Sequence, residues 1–200
     1  MTIENARRVR ADGARTRSTV LRQATELSTV VGLDGLSIGA LATAAGMSKS
    51  GIYAHFGSKL ELQLATIDEA DRIFRAHVIE PALALPGPHA QLLGLCDRYL
   101  DHLDDRVFSG GCFFSAAVME MGPRPGPVRD RLSRFQRELS ARLARLVMES
   151  QAEGRLAGED PRGLVFEVTG QFLAASAAYT LTDDPEVLAL ARTTLHRRLG

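Results

Sequence analysis

Three serines between residues 36 and 59 stand where helix N-caps are expected, and their spacing constrains the fold more than any other feature of the chain. Ser37 and Ser48 each precede a short segment of eight or nine residues that suits a helix. Ser58 is followed three residues later by Glu61, which is the spacing of a capping box. A serine at such a position accepts a hydrogen bond from a backbone N–H of the first helical turn. The segment is therefore predicted to hold two short helices, followed at once by a third.

The entrances of the two short helices and the turn between them carry further signals. An apolar residue precedes each N-cap and another lies five positions later, which is the spacing of a hydrophobic staple. Gly46 lies between the helices, at about 38–45 and 49–56, where a tight turn favours a residue that tolerates a positive φ angle. This is the layout of a helix-turn-helix. The staple pairs are Leu36 with Leu41 and Met47 with Ile52.

The second short helix has two faces at about 100° per residue. Ile52 and Phe56 share a face that is predicted to pack inward. The opposite face carries small and polar groups, which allow a helix to enter the major groove and to bond bases or phosphates. The residues on or beside that face are Lys49, Ser50, Gly51, Tyr53 and Ala54, with His55 and Lys59 as further phosphate donors. Any one of the three serines could equally be a helix cap and nothing more.

The stretch LSIGALATAAGMSKSGIYAHFGSKLEL, residues 36–62, resembles the DNA-binding segment of TetR-type bacterial transcriptional regulators. The resemblance implies that residues 1–60 form an N-terminal arm and a three-helix DNA-binding domain, and that residues 61–200 form a larger helical domain for ligand binding and dimerisation. The residues it implies at DNA are Ser37, Ser48, Lys49, Ser50, Gly51, Tyr53, His55 and Lys59. It also implies a basic arm before the first helix, formed by Arg7, Arg8, Arg10, Arg15 and Arg17.

The glycine- and proline-containing segments that interrupt the helical patterns predict an all-α protein with about nine helices, and no segment has the pattern of a strand. The most regular pattern is that of 128–153, where apolar residues recur every three or four positions with arginines opposite. The other helices are predicted at about 13–31, 38–45, 49–56, 58–80, 89–106, 112–121, 161–180 and 184–199, with the fourth ending at Pro81.

A pocket for a small-molecule effector is expected among the middle helices, although each candidate residue is more often an ordinary core residue. The candidates are Cys96, Tyr99, His102, Cys112, Phe113, Phe114, Met119, Phe135 and Phe172. His102 stands among three aspartates, a pattern more typical of a solvated helix face than of a metal site. We expect no metal and no cofactor.

Dimerisation through the last two helices is expected from two apolar patterns. The segment GQFLAASAAYTL, residues 170–181, is dense in small residues that let helices approach closely. The last helix offers Val187, Leu188, Ala191 and Leu195 as an apolar face. The alternative is that both faces cover the core of a single chain.

Charge and cysteine content agree with a cytoplasmic DNA-binding protein. Residues 1–60 hold eight Lys or Arg against four Asp or Glu, whereas the remainder holds sixteen against twenty, so that an excess of positive charge lies where DNA contact is expected. Two cysteines are too few for a disulfide scaffold, and no apolar run suggests a membrane span or a signal peptide.

We expect a homodimeric, ligand-responsive transcriptional repressor that binds a palindromic operator in double-stranded DNA and is released by an unidentified small molecule. An activator of the same family, and a helical small-molecule-binding protein without operator binding, remain as alternatives. An enzyme is disfavoured, because no phosphate-binding glycine loop and no Ser/His/Asp grouping stands in the sequence.

Overall fold

The computed structural model describes the backbone of residues 3–200 and the side chains of residue 13 and residues 15–200. Over these residues the fold is all-α, and the prediction of about nine helices is confirmed if the continuous rod 59–83 is counted once. The elements are α1 (Ile3–Val31), α2 (Ile38–Ala45), α3 (Lys49–Phe56), α4 (Lys59–Phe74), a π-helical turn (Arg75–Ile79), α5 (Glu80–Leu83), α6 (Pro88–Asp104), α7 (Phe113–Met121), α8 (Pro127–Ala152), α9 (Pro161–Thr182) and α10 (Pro185–Leu199).

The first helix is longer than predicted. It begins at Ile3 rather than near residue 13, because residues 3–12 contain neither proline nor glycine and nothing in them stops a helix. The predicted arm therefore forms the first turns of α1. The side chains of Arg7, Arg8 and Arg10 lie outside the described residues.

Pro81 does not end the fourth helix, contrary to the prediction. A proline inside a helix has no N–H to donate, and its ring collides with the carbonyl four residues earlier. Here the rod widens into the π-helical turn just before Pro81, where the Glu80 N–H bonds the Arg75 carbonyl five residues back. The rod then continues through α5 and ends at Leu83.

The helices around α3 share a small apolar core. Leu36, Leu41, Ile52 and Leu62 are completely buried, and Leu33 nearly so. Of the two staple pairs predicted from the sequence, Leu36, Leu41 and Ile52 are thus buried, and Met47 packs partly buried against the same core. Buried aliphatic side chains of this size each contribute about 1.5–3 kcal/mol, so the short helices depend on their packing more than on their own propensity.

The larger helical body is centred on Phe74 of α4. Its ring contacts the rings of Tyr99 and His102 on α6, Phe114 on α7 and Phe135 on α8, with centroids 5.3 to 6.3 Å away. One aromatic side chain thus joins four helices. Because Phe74 belongs to the rod that starts beside α3, the body and the small N-terminal core share one long element. A division at residue 60 stays a prediction.

Helix α9 is the one described helix that is long and apolar enough to cross a membrane by length and composition. One side of it, including Leu164, Val168 and Phe172, is buried against the body. A core helix of a folded domain has the same properties, and its packing favours that interpretation.

The φ angle of Gly46 yields a prediction. Gly46 adopts φ 62° and ψ 29°, and a Cβ atom added there would meet nothing within 4 Å. Any penalty on substitution therefore comes from the backbone and not from a clash. Gly46→Val should lower the free energy of unfolding by about 1–2 kcal/mol, whereas Gly46→Asn should lower it clearly less, because Asn tolerates this conformation. Urea denaturation of both variants measures the difference, and equal losses would contradict it.

Candidate nucleic-acid interface and ligand cavity

Helices α2 and α3 are joined by a turn that closes on Gly46. The Gly46 N–H bonds the Thr43 carbonyl at 3.3 Å, and the Met47 N–H reaches back to the Ala42 carbonyl at 2.9 Å. This pair of bonds is a Schellman C-cap, which needs a left-handed residue at its centre. The chain can then start α3 after only three linking residues. The arrangement of two short helices at a tight turn is that of a helix-turn-helix.

Helix α3 presents a polar face to solvent. Ile52 and Phe56 are buried, as predicted, whereas the Tyr53 side chain is 56% exposed. Lys49, Ser50 and Ala54 are also exposed on this face, and Gly51 and His55 are partly exposed. The face holds a hydroxyl, a phenol, an ammonium and small side chains on one rigid turn of helix. This is the chemistry that major-groove and phosphate contacts require.

The three serines are N-caps. Ser37, Ser48 and Ser58 each accept a hydrogen bond from the backbone N–H three residues later, at 3.0 to 3.1 Å. Ser48 also lies 3.1 Å from the Ser50 hydroxyl. These bonds occupy one lone pair of each hydroxyl, so DNA contact by the same serines stays a prediction.

The Lys59 ammonium group already has hydrogen-bond partners within the protein, which the sequence did not indicate. Its Nζ donates to the Asp34 carbonyl at 2.5 Å and lies 3.4 Å from the Asp34 carboxylate. Arg124, from the segment after α7, reaches the other carboxylate oxygen at 2.5 Å. The pKa of the Asp34 carboxyl is lowered, first by the hydrogen bond from Arg124 and then by Lys59. Lys59 therefore ties the start of α4 to the α1–α2 loop, and a phosphate would have to compete with Asp34 for it.

Arg17 lies under α3. Its guanidinium stacks on the Phe56 ring at 5.2 Å from the centroid, and its side chain is exposed. A polar recess of about 230 Å³ beside it is lined by His55, Glu61 and Arg131, among others. Arg17 therefore lies beside the C-terminal end of α3, and its contact with DNA stays a prediction.

The body contains an aromatic cavity of about 300 Å³, between α4, α6, α7, α8 and α9. Five of the nine predicted ligand residues line it: Tyr99, Cys112, Phe114, Phe135 and Phe172. The Tyr99 and Phe172 rings stack with centroids 4.1 Å apart, and those of Phe114 and Phe135 with centroids 3.4 Å apart. The Tyr99 hydroxyl donates to the Phe172 carbonyl and pairs with the Ser115 hydroxyl, both at 3.1 Å. The walls are thus apolar and their polar atoms mostly satisfied.

The other four predicted residues do not line the cavity. Cys96 is fully buried in α6, and burial with the nearby Asp97 carboxylate raises the pKa of its thiol to about 12. Phe113 packs edge-on against Phe114 outside the lining, and Met119 is 67% exposed, because it lies on the solvent side of α7.

His102 corrects the sequence interpretation most clearly. A solvated face was predicted, but its side chain is only 4% exposed and lies among the rings of Phe74, His77 and Phe108. Its Nδ1 is buried without a hydrogen-bond partner. Of its acidic neighbours, Asp101 pairs with Arg192, and Asp104 and Asp105 are exposed, so the edge of the core runs between His102 and these aspartates.

The sequence missed several cavity residues. Phe74, Leu139 and Val118 follow helical periodicity and were indistinguishable from core residues. Ser115, Gln136, Phe166, Thr169, Gly170 and Leu173 complete the lining. For Ser115, Gln136, Thr169 and Gly170, a polar or small residue at an otherwise apolar helix face was the available signal, whereas Phe166 and Leu173 had no distinguishing signal in the sequence. In the part of the chain that the structure describes, no group of three His, Cys, Asp or Glu residues could hold a metal ion.

Helix α7 lines the cavity and is attached to the N-terminal helices at both ends. At its C-terminal end, the Glu120 carboxylate accepts the backbone N–H groups of Leu33 and Asp34 at 2.7 and 2.9 Å. Gly32 allows this approach, because a Cβ there would lie 2.7 Å from the carboxylate. Two residues earlier, Val118 faces the cavity.

A second attachment precedes α7. Glu26 of α1 accepts hydrogen bonds from the backbone N–H of Ser109 at 3.1 Å and from the Ser109 hydroxyl. The next N–H, that of Gly110, donates to the Thr29 hydroxyl at 3.2 Å. The C-terminal end of α7 and the segment just before its first residue are thus hydrogen-bonded to the loop and the helix that precede α2 and α3.

The predicted dimer face on α10 is corrected by its packing. Leu188 and Leu195 are buried, and Val187 and Ala191 are partly buried against the chain's own core. Apolar side chains that face solvent lie elsewhere on the last two helices. They are Phe166, Leu173 and Leu181 on α9, with Gly170, Ala174 and Ala177 on the same face, and Leu190 on α10.

Two family models match the chain. Residues 20–66 match the bacterial regulatory proteins of the tetR family. Residues 88–195, more than half of the chain, match the tetracyclin repressor-like C-terminal domain. The first match contains α2 and α3, and the second contains most of the cavity.

Relatives and solved structures agree with these matches. The chain is 27% identical over 183 residues to the HTH-type transcriptional regulator TcmR of Streptomyces glaucescens, covering 88% of this chain and 79% of that protein. A TetR transcriptional regulator from Chloroflexus aurantiacus superposes with a TM-score of 0.85 at 26% identity, covering 92% and 94% of the two chains. AibR, solved in complex with isovaleryl coenzyme A and operator DNA, superposes with a TM-score of 0.73 at 18% identity, covering 90% and 97%.

The buried imidazole yields a prediction about pH. Burial, with a smaller effect of His77, lowers the pKa of His102 to about 4 from its usual 6.5. Between these two pH values the unfolded chain binds a proton at His102 that the folded chain does not. The contribution of neutral His102 to the free energy of unfolding is therefore fully present above about pH 6.5 and is lost as the pH falls towards 4. The loss amounts to about 3 kcal/mol.

Urea denaturation from pH 7 to pH 4 measures this loss. The His102→Gln variant, which has no imidazole, should lose less stability over the same range. Identical pH profiles for the two proteins would contradict a buried neutral His102.

Proposed function

The chain belongs to the TetR family of bacterial transcriptional regulators, and from this premise we propose that it is a homodimeric repressor that binds a palindromic operator and is released by a small molecule in the aromatic cavity. The family consists of DNA-binding regulators rather than enzymes. The observation that carries the proposal is the exposed polar face of α3, held on a small buried core. A cytoplasmic location follows from contact with DNA.

The exposed α3 face supports groove binding. Its two inward residues anchor the helix, and its outward side chains leave a surface narrow enough for the major groove. Lys49 and Tyr53 supply phosphate donors, and Ser50 a donor and acceptor for a base edge. The same face is proposed to include Ser37, Ser48, Gly51, His55 and Lys59 at its edges, with Arg17 reaching the backbone from below α3.

The apolar strip of α9 supports a dimer. The strip is defined as Phe166, Leu173 and Leu181 with the small residues between them, and the side chains of Phe166 and Leu181 are 80% and 86% exposed. Pairing two strips across a two-fold axis removes this apolar surface from water. The same symmetry sets two α3 helices against successive major grooves, about 34–36 Å apart.

The attachments of α7 support ligand release. A molecule that fills the cavity presses on Phe114, Ser115 and Val118, which lie between the attachment at Ser109 and the attachment at Glu120. A shift of α7 would move the α1–α2 loop, and α3 with it. Coupling of about 1–3 kcal/mol changes operator affinity about 5- to 150-fold.

Selection of genomic DNA fragments by the purified protein, followed by sequencing, tests the proposed function. An inverted repeat with half-sites one helical turn apart, or a multiple of it, is the expected product. A helical ligand-binding protein without operator binding would enrich no sequence, and that outcome would overturn the proposal.

Operator affinity at several salt concentrations tests the α3 face. Lys49→Ala should weaken binding and reduce the salt slope by about one, because one phosphate contact loses its charge. Tyr53→Phe should weaken binding with no change of slope, since only a neutral hydroxyl is lost. Arg145→Ala on α8, the same loss of one charge far from α3, is the control. Equal slopes for Lys49→Ala and Arg145→Ala would place Lys49 away from DNA.

Light scattering after size-exclusion chromatography tests the dimer. The double variant Ala177→Asp/Leu181→Asp, with both changes on the strip, should be monomeric at micromolar concentration and should lose most of its operator affinity, because two buried carboxylates per chain oppose pairing. Met148→Asp, at an exposed position of α8, should remain dimeric. A dimeric double variant would show that the interface lies elsewhere.

A further inference from the structure

A groove of about 430 Å³ adjoins the aromatic cavity. It runs between the C-terminal end of α7 and one face of α8. Val118 and Gln136 line both spaces, so the groove and the cavity share a wall. A single elongated molecule can therefore occupy both.

The groove differs from the cavity in its chemistry. It is lined by Arg129, Ser133, Arg137 and Ser140, which follow one another on a single face of α8. The two guanidinium groups belong to residues two helical turns apart, about 12 Å along the axis. Among the residues that line the groove in the described structure, none is Asp or Glu.

Among the described residues, neither arginine of the groove forms an ion pair with a carboxylate. Arg75, Arg131 and Arg198 of the same body each pair with a carboxylate. Within the described residues, Arg129 makes no such pair, and Arg137 donates to the Ser133 hydroxyl at 2.7 Å. Two guanidinium groups without carboxylate partners, at the end of an apolar cavity, create a local excess of positive charge.

The aromatic cavity provides no counter-charge and few free hydrogen-bond partners for a polar group of a ligand. The Tyr99 hydroxyl is already bonded to Ser115 and to the Phe172 carbonyl. A charged ligand group placed there would lose its hydration without gaining a counter-charge, which costs several kcal/mol. A polar or charged end must therefore lie in the groove.

We propose that the effector is an amphipathic organic anion whose flat apolar body fills the aromatic cavity and whose carboxylate, sulfonate or phosphate lies between Arg129 and Arg137. This inference rests on the proposed function for the meaning of the cavity, and it adds the chemical class of the ligand. Planar surfaces suit the stacked rings of the cavity wall, and guanidinium groups suit planar or tetrahedral oxyanions.

A matched pair of fluorescent probes tests the proposal. 8-Anilinonaphthalene-1-sulfonate and N-phenyl-1-naphthylamine share one aromatic skeleton, and only the first carries an anion. Fluorescence titration with the intact protein should show at least about tenfold tighter binding of the sulfonate, the size of one charge-assisted hydrogen bond. Equal affinities would overturn the proposal.

The variant Arg129→Gln/Arg137→Gln should abolish this tenfold preference and leave the affinity of the neutral probe unchanged. Arg134→Gln/Arg145→Gln removes the same charge from α8 outside the groove and should keep the preference. A preference that survives in the first variant, or disappears in both, would contradict the assignment of the two arginines.

A separate control tests whether the apolar part of the ligand lies in the aromatic cavity. Thr169→Trp and, independently, Leu139→Trp put an indole into the cavity lining and should weaken both probes, provided that circular dichroism shows native helix content. Undiminished binding of both probes in a folded variant would overturn the proposal. DNA selection is unaffected by these measurements, so a failed repressor assignment and a failed ligand assignment remain distinguishable.

Discussion

The carboxylate of Glu120 accepts hydrogen bonds from the backbone N–H groups of Leu33 and Asp34, and the placement of α2 and α3 depends on this interaction. A hydrogen bond to a charged acceptor contributes about 1.5–3 kcal/mol. The two donors belong to the loop that leads from α1 to α2. Gly32 leaves the space that the carboxylate occupies. The helix-turn-helix is thereby fixed relative to a helix of the body.

The same helix is a wall of the aromatic cavity, and this double use of α7 connects the two parts of the molecule. Its middle contributes Phe114, Ser115 and Val118 to the lining, and the segment before it is bonded to Glu26 and Thr29 of α1. In the proposed function, a ligand that shifts α7 would also move the α1 helix and the α1–α2 loop to which Glu120 and the segment before α7 are bonded. The small core under α3 would move as a unit, because its apolar residues are closely packed.

The sequence predicted the local features well, because each of them depends on neighbouring residues. The three serine caps, the turn at Gly46 and the inward positions of Ile52 and Phe56 follow from spacing alone. The bounds of α2 and α3 agree with the structure for the same reason. The π-helical turn before Pro81 could not be predicted, since a widened turn has no local signature and a proline ordinarily ends a helix.

Interactions between distant segments account for the remaining differences. The bonds from Glu120 to the α1–α2 loop join residues 86 and 87 positions apart, and no pattern in either segment indicates the other. The burial of His102 depends on Phe74 and Phe108 from neighbouring elements, and the burial of Leu188 and Leu195 depends on which face of α10 meets the body. Periodicity identifies an apolar face but does not identify its partner.

A double-mutant cycle on operator affinity tests most directly whether α7 transmits the state of the cavity. Ser115→Phe fills the cavity from α7, and Glu120→Ala removes the acceptor for Leu33 and Asp34. The account predicts that Ser115→Phe weakens operator binding when Glu120 is present and has little further effect in the Glu120→Ala background. An equal effect of Ser115→Phe in both backgrounds would contradict it.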